Sequence, residues 1–189
     1  LPAGEIQAMT QFRSPTTEQS YIVAQVKYIA AWELGTGGPT YSGEAEPRAG
    51  AATFADPVTG KIFYFAGVQF NGLTFDCFND LWTWDVATQA WTELFPTGDI
   101  PSIRYGMAVG YVPSLNGALS WGGALKIIDD ADNVDYDDLY FYSIADNTFT
   151  LLSPTGTPPD ARRYALMVYD ETNNTMFVLG GESGNSPTD

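Results

Sequence analysis

Residues 103–152 read IRYGMAVGYVPSLNGALSWGGALKIIDDADNVDYDDLYFYSIADNTFTLL. Four short apolar runs, a glycine pair and an aromatic-rich stretch lie between turn residues, and no run is long enough to favour a helix over a strand. The same order of features precedes this stretch and begins again after it, which points to a tandem repeat.

The register follows by subtraction. Arg48, Arg104 and Arg162 are spaced by 56 and 58 residues, and so are Gly67, Gly123 and Gly181. Leu81 to Leu139 and Leu94 to Leu152 are each 58. Landmarks that drift together divide the chain into an N-terminal arm (1–20), a partial unit with its linker (21–46), two full units (47–95 and 96–153) and a half unit (154–189).

Within the first full unit, 49–55 is a short strand, Asp56-Pro57-Val58-Thr59-Gly60 a turn, and 61–67 a second strand ending in glycine. A loop over 68–79 leads to a third strand at 80–85 and a fourth at 91–94. The second unit repeats this through Gly122 and Gly123, a loop over 124–137, and strands at 139–142 and 149–152; the third reaches Gly180 and Gly181. Residues 21–34 alternate as a strand does, with a helix as competitor, and 1–19 show no sustained period and read as an arm that stays loose or docks on a neighbour.

Composition narrows the function. Eight basic against 23 acidic residues give a net charge of −15, a field that repels nucleic acid and anionic lipid surfaces and keeps a Gly- and aromatic-rich chain soluble. There is no histidine, which removes the commonest general base, the Ser/His/Asp arrangement and most transition-metal sites. Cys77 is the only cysteine, so an intrachain disulfide and a Cys-rich zinc site are excluded; with no histidine to activate it, it reads as a small hydrophobe. No apolar run reaches the roughly 18–20 residues that span a bilayer. A chain beginning with Leu rather than Met reads as a processed, excised or incompletely determined product; the compartment stays open, with an extracellular setting preferred over a cytoplasmic one, where the sequon at Asn173 would matter.

These residues resemble the kelch-repeat β-propellers, the architecture of the central domain of galactose oxidase. The resemblance rests on Pro47-Arg48 with Arg104 and Arg162, on the pairs Gly122-Gly123 and Gly180-Gly181, on Leu81-Trp82-Thr83-Trp84-Asp85 and Leu139-Tyr140-Phe141-Tyr142, and on the run opened by Trp91. The first unit departs from it with Ala66-Gly67, and the second with Phe149 for Trp. The resemblance implies an all-β fold of four-stranded antiparallel blades, about three of them in an incomplete ring, since propellers close with about four to eight. It also implies a non-catalytic scaffold for protein binding or self-assembly, its ring completed by further sequence or by other chains. In one such arrangement the N-terminal strands of one copy pair with the C-terminal half unit of another, so that two copies make six blades. The alternative is an extracellular carbohydrate-binding or enzyme-associated propeller. The copper chemistry of galactose oxidase does not carry over, because its site needs histidines.

Site residues follow from the same alignment. The three arginines read as structural donors between strands rather than a ligand ring, and the tyrosines and tryptophans as core at repeat-equivalent positions. No cofactor is expected. One metal reading arises from Asp129, Asp130, Asp132 and Asp135, whose carboxylates are hard ligands of the kind Ca²⁺ prefers, although Val134 stands where an EF-hand needs an oxygen ligand.

Overall fold

A computed structural model of the chain describes residues 6–13, 20–26, 45–126, 134–184 and 186–187. The chain divides into two compact units, residues 1–40 and 41–189. In the first, β1 (Ile6–Arg13) and β2 (Ser20–Val26) form an antiparallel hairpin with Phe12 opposite Tyr21. A strand therefore stands where the sequence suggests an arm. Its alternate residues Ile6, Ala8, Thr10 and Phe12 carry a period of two, but too weakly apolar a one to register. The strand expected over 21–34 is present through Val26, and its remainder lies outside the described residues.

The second unit is all-β apart from one short 3₁₀ turn, among the described residues. Its first sheet is a four-stranded antiparallel meander of β3 (Ala52–Asp56), β4 (Lys61–Phe70), β5 (Phe75–Asp85) and β6 (Ala90–Leu94), in that order. The central hairpin is longer than expected, and the loop read over 68–79 shrinks to four residues between β4 and β5. Two local features extend it: the Phe70 and Phe75 rings meet at 5.0 Å, and Asn71 Oδ1 accepts from the Leu73 and Thr74 amides. A register shift between Phe65 and Gly67 takes the strand past its glycine.

The second sheet runs β7 (Thr97–Gly98), β13 (Thr148–Leu152), β12 (Leu139–Ser143), β9 (Gly117–Trp121) and β8 (Ala108–Val112). Four strands are antiparallel as expected; the fifth is not foreseen. β7 lies parallel to β13, so the linker leaving the first sheet covers one edge of the second before running to β8 at the opposite edge. A 3₁₀ turn (Pro113–Leu115), closed by Asn116 at φ 46, joins β8 to β9. A small ladder of β10 (Ala124–Leu125) and β11 (Val134–Asp135) stands within the loop expected over 124–137.

β14 (Leu166–Asp170) and β15 (Thr175–Leu179) form the third sheet, and β16 (Glu182–Ser183) pairs with β17 (Ser186–Pro187). Two apolar layers hold the sheets together. Between the first and second lie Phe63, Phe65 and Leu81 against Tyr140, Tyr142 and Phe149, all buried; the second and third share Ala108, Trp121 and Met167 with Leu119, Met176 and Val178. Period-two alternation sends one set of side chains from the middle sheet into each layer: Val109, Tyr111, Ala118 and Ser120 toward the first, Ala108, Gly110, Leu119 and Trp121 toward the third.

Candidate functional site

Two arginines with buried side chains recur at the start of the two full units. Both Arg48 terminal nitrogens grip the Asp80 carboxylate, with Nη2 to Oδ2 at 3.0 Å, while Nε donates to the Glu46 carbonyl at 3.1 Å. Arg104 does the same with Asp138 (Nη2 to Oδ2 2.9 Å), Ser102 O (3.1 Å) and Gly122 O (3.1 Å). An aromatic ring stacks on each guanidinium, Phe78 at 3.7 Å and Tyr136 at 3.9 Å. Arg162 repeats the backbone contacts, to Asp160 O (3.0 Å) and Gly180 O (3.3 Å). A planar fork that satisfies a carboxylate and two carbonyls at once makes arginine the residue that fits here. Burial works against ionisation of Asp80, but the donors from Arg48 and the indole N–H of Trp82 outweigh it and hold its carboxyl below the usual value.

The glycines do a related job. Gly122 and Gly123 take φ of 70° and 91°, Gly180 and Gly181 63° and 103°, and Ala66 and Gly67 58° and 112°. The first two units' pairs turn their second amide toward the next segment: the Gly67 N–H donates to the Arg104 carbonyl at 2.8 Å, and the Gly123 N–H to the Arg162 carbonyl at 2.9 Å. A return bond runs two residues beyond each arginine, from the Gly106 N–H to the Gly50 carbonyl and from the Tyr164 N–H to the Gly106 carbonyl, both 2.7 Å. The same pair of backbone bonds therefore stitches sheet one to sheet two and sheet two to the third.

Beneath the third sheet lies a cavity of about 420 Å³, lined by Leu119, Trp121, Leu139, Leu152, Met176 and Val178 and roofed by the proline-rich 154–159 segment. Its walls are mostly apolar, with Asp137, Thr155 and Thr157 among them. Asp138 at its margin is committed to Arg104, and the Trp121 indole N–H to the Asp137 carbonyl at 2.9 Å. Trp121 is 4 % exposed, so its ring offers no open face for a sugar to stack on. The arrangement can bury apolar side chains.

Of the proposed calcium ligands, Asp129, Asp130 and Asp132 lie outside the described residues. The Asp135 carboxylate accepts from Arg163 at 2.7 Å and from the Gly184 amide at 2.8 Å. Trp91 sits on β6 with its ring against Trp84 (5.3 Å) and Tyr64 (5.7 Å). Cys77 lies in β5 opposite Val68 rather than in a loop; burial pushes its thiol above the ordinary value, and its sulfur accepts from the Lys126 amide at 3.5 Å. Asn173 is exposed in the turn between β14 and β15, its side-chain amide donating to Asp170 at 2.6 Å.

Sequence reasoning missed Arg163, 2 % exposed and paired with Asp135 and Glu182. It has no basic counterpart in the other units, where Ala49 and Tyr105 stand at its position, so repeat alignment gave no signal. It also missed Asp56, 1 % exposed, whose carboxylate accepts from Val58, Thr59 and the hydroxyl of Tyr111 on the neighbouring sheet. A turn aspartate is legible; a bond from 55 residues away is not.

No protein-family model matches the chain. A curated relative, the Rho GTPase-activating protein gacHH of Dictyostelium discoideum, is 31 % identical over 128 residues, 66 % of this chain and 8 % of the relative. The chain thus spans under a tenth of that protein's length. Among solved structures it is similar to YjhT, with a TM-score of 0.55 and 16 % identity over 88 % of this chain and 50 % of the other; at that identity the likeness speaks to the fold alone. Among the described residues no helix is long and apolar enough to cross a membrane.

Proposed function

We propose that the chain is a non-catalytic interaction and assembly module built from kelch-type β-propeller blades, its ring completed by further sequence or by other chains. The stitching between successive sheets carries this reading: one glycine amide to the next arginine carbonyl, repeated at both junctions with the same partners. A bond pattern that passes from each unit to its neighbour is what radial repetition requires. The buried arginine forks add to it, because they leave the guanidinium groups occupied by the protein itself. The carbohydrate alternative has weaker support, since Trp121 is buried and the Trp84 and Trp91 rings lean on each other.

Electron microscopy of the completed assembly tests the proposal. The expected image is a closed ring of radial sheets with an axial opening; sheets stacked in an open solenoid would refute the propeller reading. Turnover of a glycoside or alcohol substrate, abolished by substituting a residue of the cavity, would refute the non-catalytic one.

A further inference from the structure

The two outer faces of the second unit are related by the same spacing that relates its internal layers. On the first sheet, Ile62 and Tyr64 of β4 stand opposite Trp84 and Trp82 of β5, and Trp84 stands opposite Trp91 of β6, so these five share the face turned away from sheet two. On the third sheet, Leu166 opposes Leu179 and Val168 opposes Phe177, and these four share the face turned away from the cavity. They are 59, 55, 44 and 48 % exposed in that order, and Ile62 is 37 % exposed. Contiguous apolar faces of this kind on strands mark contact surfaces.

The interior shows what each face fits. In the layer between sheets one and two, Phe149 packs on Phe65 at 4.9 Å and Tyr142 on Phe63 at 5.8 Å. Shifting the receiving side by the 114 residues of two repeats turns Ala52, Phe54, Phe63 and Phe65 into Leu166, Val168, Phe177 and Leu179. Shifting the donating side back by one repeat (56 residues on the inner strands, 58 on the outer) turns Ala118, Ser120, Tyr140, Tyr142 and Phe149 into Ile62, Tyr64, Trp82, Trp84 and Trp91. The chain therefore displays, on opposite sides, both halves of an interface it already makes internally.

We propose that a second copy of this chain docks head to tail, the aromatic face of its first sheet seated on the apolar face of the third sheet. In this contact Trp91 lies over Leu179 and Trp84 over Phe177. The backbone stitch continues across it, from the Gly181 amide to the second copy's Arg48 carbonyl and from the second copy's Gly50 amide to the Tyr164 carbonyl. Tyr164 already holds φ 58°, as Gly50 and Gly106 do at 63° and 68°, so its carbonyl is presented in the same conformation. The contact is heterologous, and it closes into a ring only if the rotation per copy allows. The inference rests on the propeller-type reading and names its partner.

Light scattering on the full chain from about 1 to 100 µM, in low and high salt, reads the association. The wild-type chain is expected to exceed its 20.5 kDa monomer mass, and more so in high salt, because an apolar contact between two chains of charge −15 gains from screening. Ile62→Lys blocks the head and Leu179→Lys the tail; both sites are exposed, and circular dichroism checks that each variant folds. Each variant alone is expected to be monomeric and their equimolar mixture a 1:1 dimer, because one good head and one good tail remain. A monomeric wild type, single variants that associate like the wild type, or a mixture that stays monomeric would each overturn the proposal. A monomer leaves the propeller reading standing on the ring image, whereas head-to-tail association into an open fibre sinks that reading and keeps the docking.

Discussion

Replacing Arg104 with methionine tests the energetics at the heart of the second sheet. The change keeps much of the stem's apolar packing and removes the fork, which makes two bonds to Asp138 and further bonds to Ser102 and Gly122. Charged bonds contribute about 1.5–3 kcal/mol each and neutral ones about 1. Water reaches the Asp138 side chain, which is 25 % exposed, and rehydrates part of the orphaned carboxylate. The expected net loss is therefore about 3–4 kcal/mol, in the range for breaking a buried pair. Urea unfolding followed by circular dichroism should show the midpoint fall by roughly 1.5–2 M for a slope near 2 kcal/mol/M. Arg104→Lys should lose less, since it keeps a charge but not the two-pronged geometry. A double-mutant cycle with Asp138→Asn isolates the pair and should give a coupling of about 2 kcal/mol. A loss under about 1 kcal/mol, or strictly additive single changes, would refute the view that the fork holds the sheet.

The glycine pairs yield a matched contrast. A methyl at Gly122 would lie 2.5 Å from the Arg162 carbonyl oxygen at φ +70°, so Gly122→Ala should cost about 2 kcal/mol or more, while Ala66→Gly, where a methyl is already housed, should change stability by less than about 1 kcal/mol; thermal unfolding separates the two. In acid, burial raises the Asp80 carboxyl but its bonds from Arg48 and Trp82 prevail, so its folded pKa lies below 3.8. The unfolded chain then binds more protons, and stability present above pH 3.8 is lost as pH falls toward the depressed value; Asp80→Asn should flatten that part of a stability-versus-pH curve. At the alkaline end, burial pushes Tyr142 and Tyr105 up to about 12 from 10. The unfolded chain releases those protons first, so stability falls from pH 10 upward, and the 295 nm absorbance of these two rings should rise only near pH 12 or together with unfolding.

The repeat spacing made most of the second unit legible, because evenly placed arginines, glycines and turn residues report backbone geometry directly. Asp80 and Asp138 could be aligned for the same reason, and the structure shows both as the acceptors of an arginine fork. What escaped lacks either periodicity or locality. The continuation of β4 past Gly67 depends on a bulge and on the Asn71 turn, and neither interrupts the pattern of apolar residues. Strand β1 is too evenly mixed to stand out, and the Arg163 cluster occurs in one unit only. The cavity is legible only as a consequence: once Phe149 and Tyr142 are seen to fill the layer over sheet one, the space over Leu139 and Trp121 marks where no equivalent rings stand among the described residues.

The two residues of β7 alter the order in which this fold can be finished. Thr97 and Gly98 leave the ribosome some fifty residues before Thr148 and Phe149, their partners in the ladder. During synthesis the linker is thus laid down first and can be clamped only once β13 has emerged. Its bonds close the edge of β13 that would otherwise recruit foreign strands, so the interval before closure is when a nascent chain is most open to mispairing. The linker works as a latch whose timing is written into the chain's direction, and the prolines that bracket it, Pro96 before Thr97 and Pro101 after Ile100, narrow the paths by which it can swing shut.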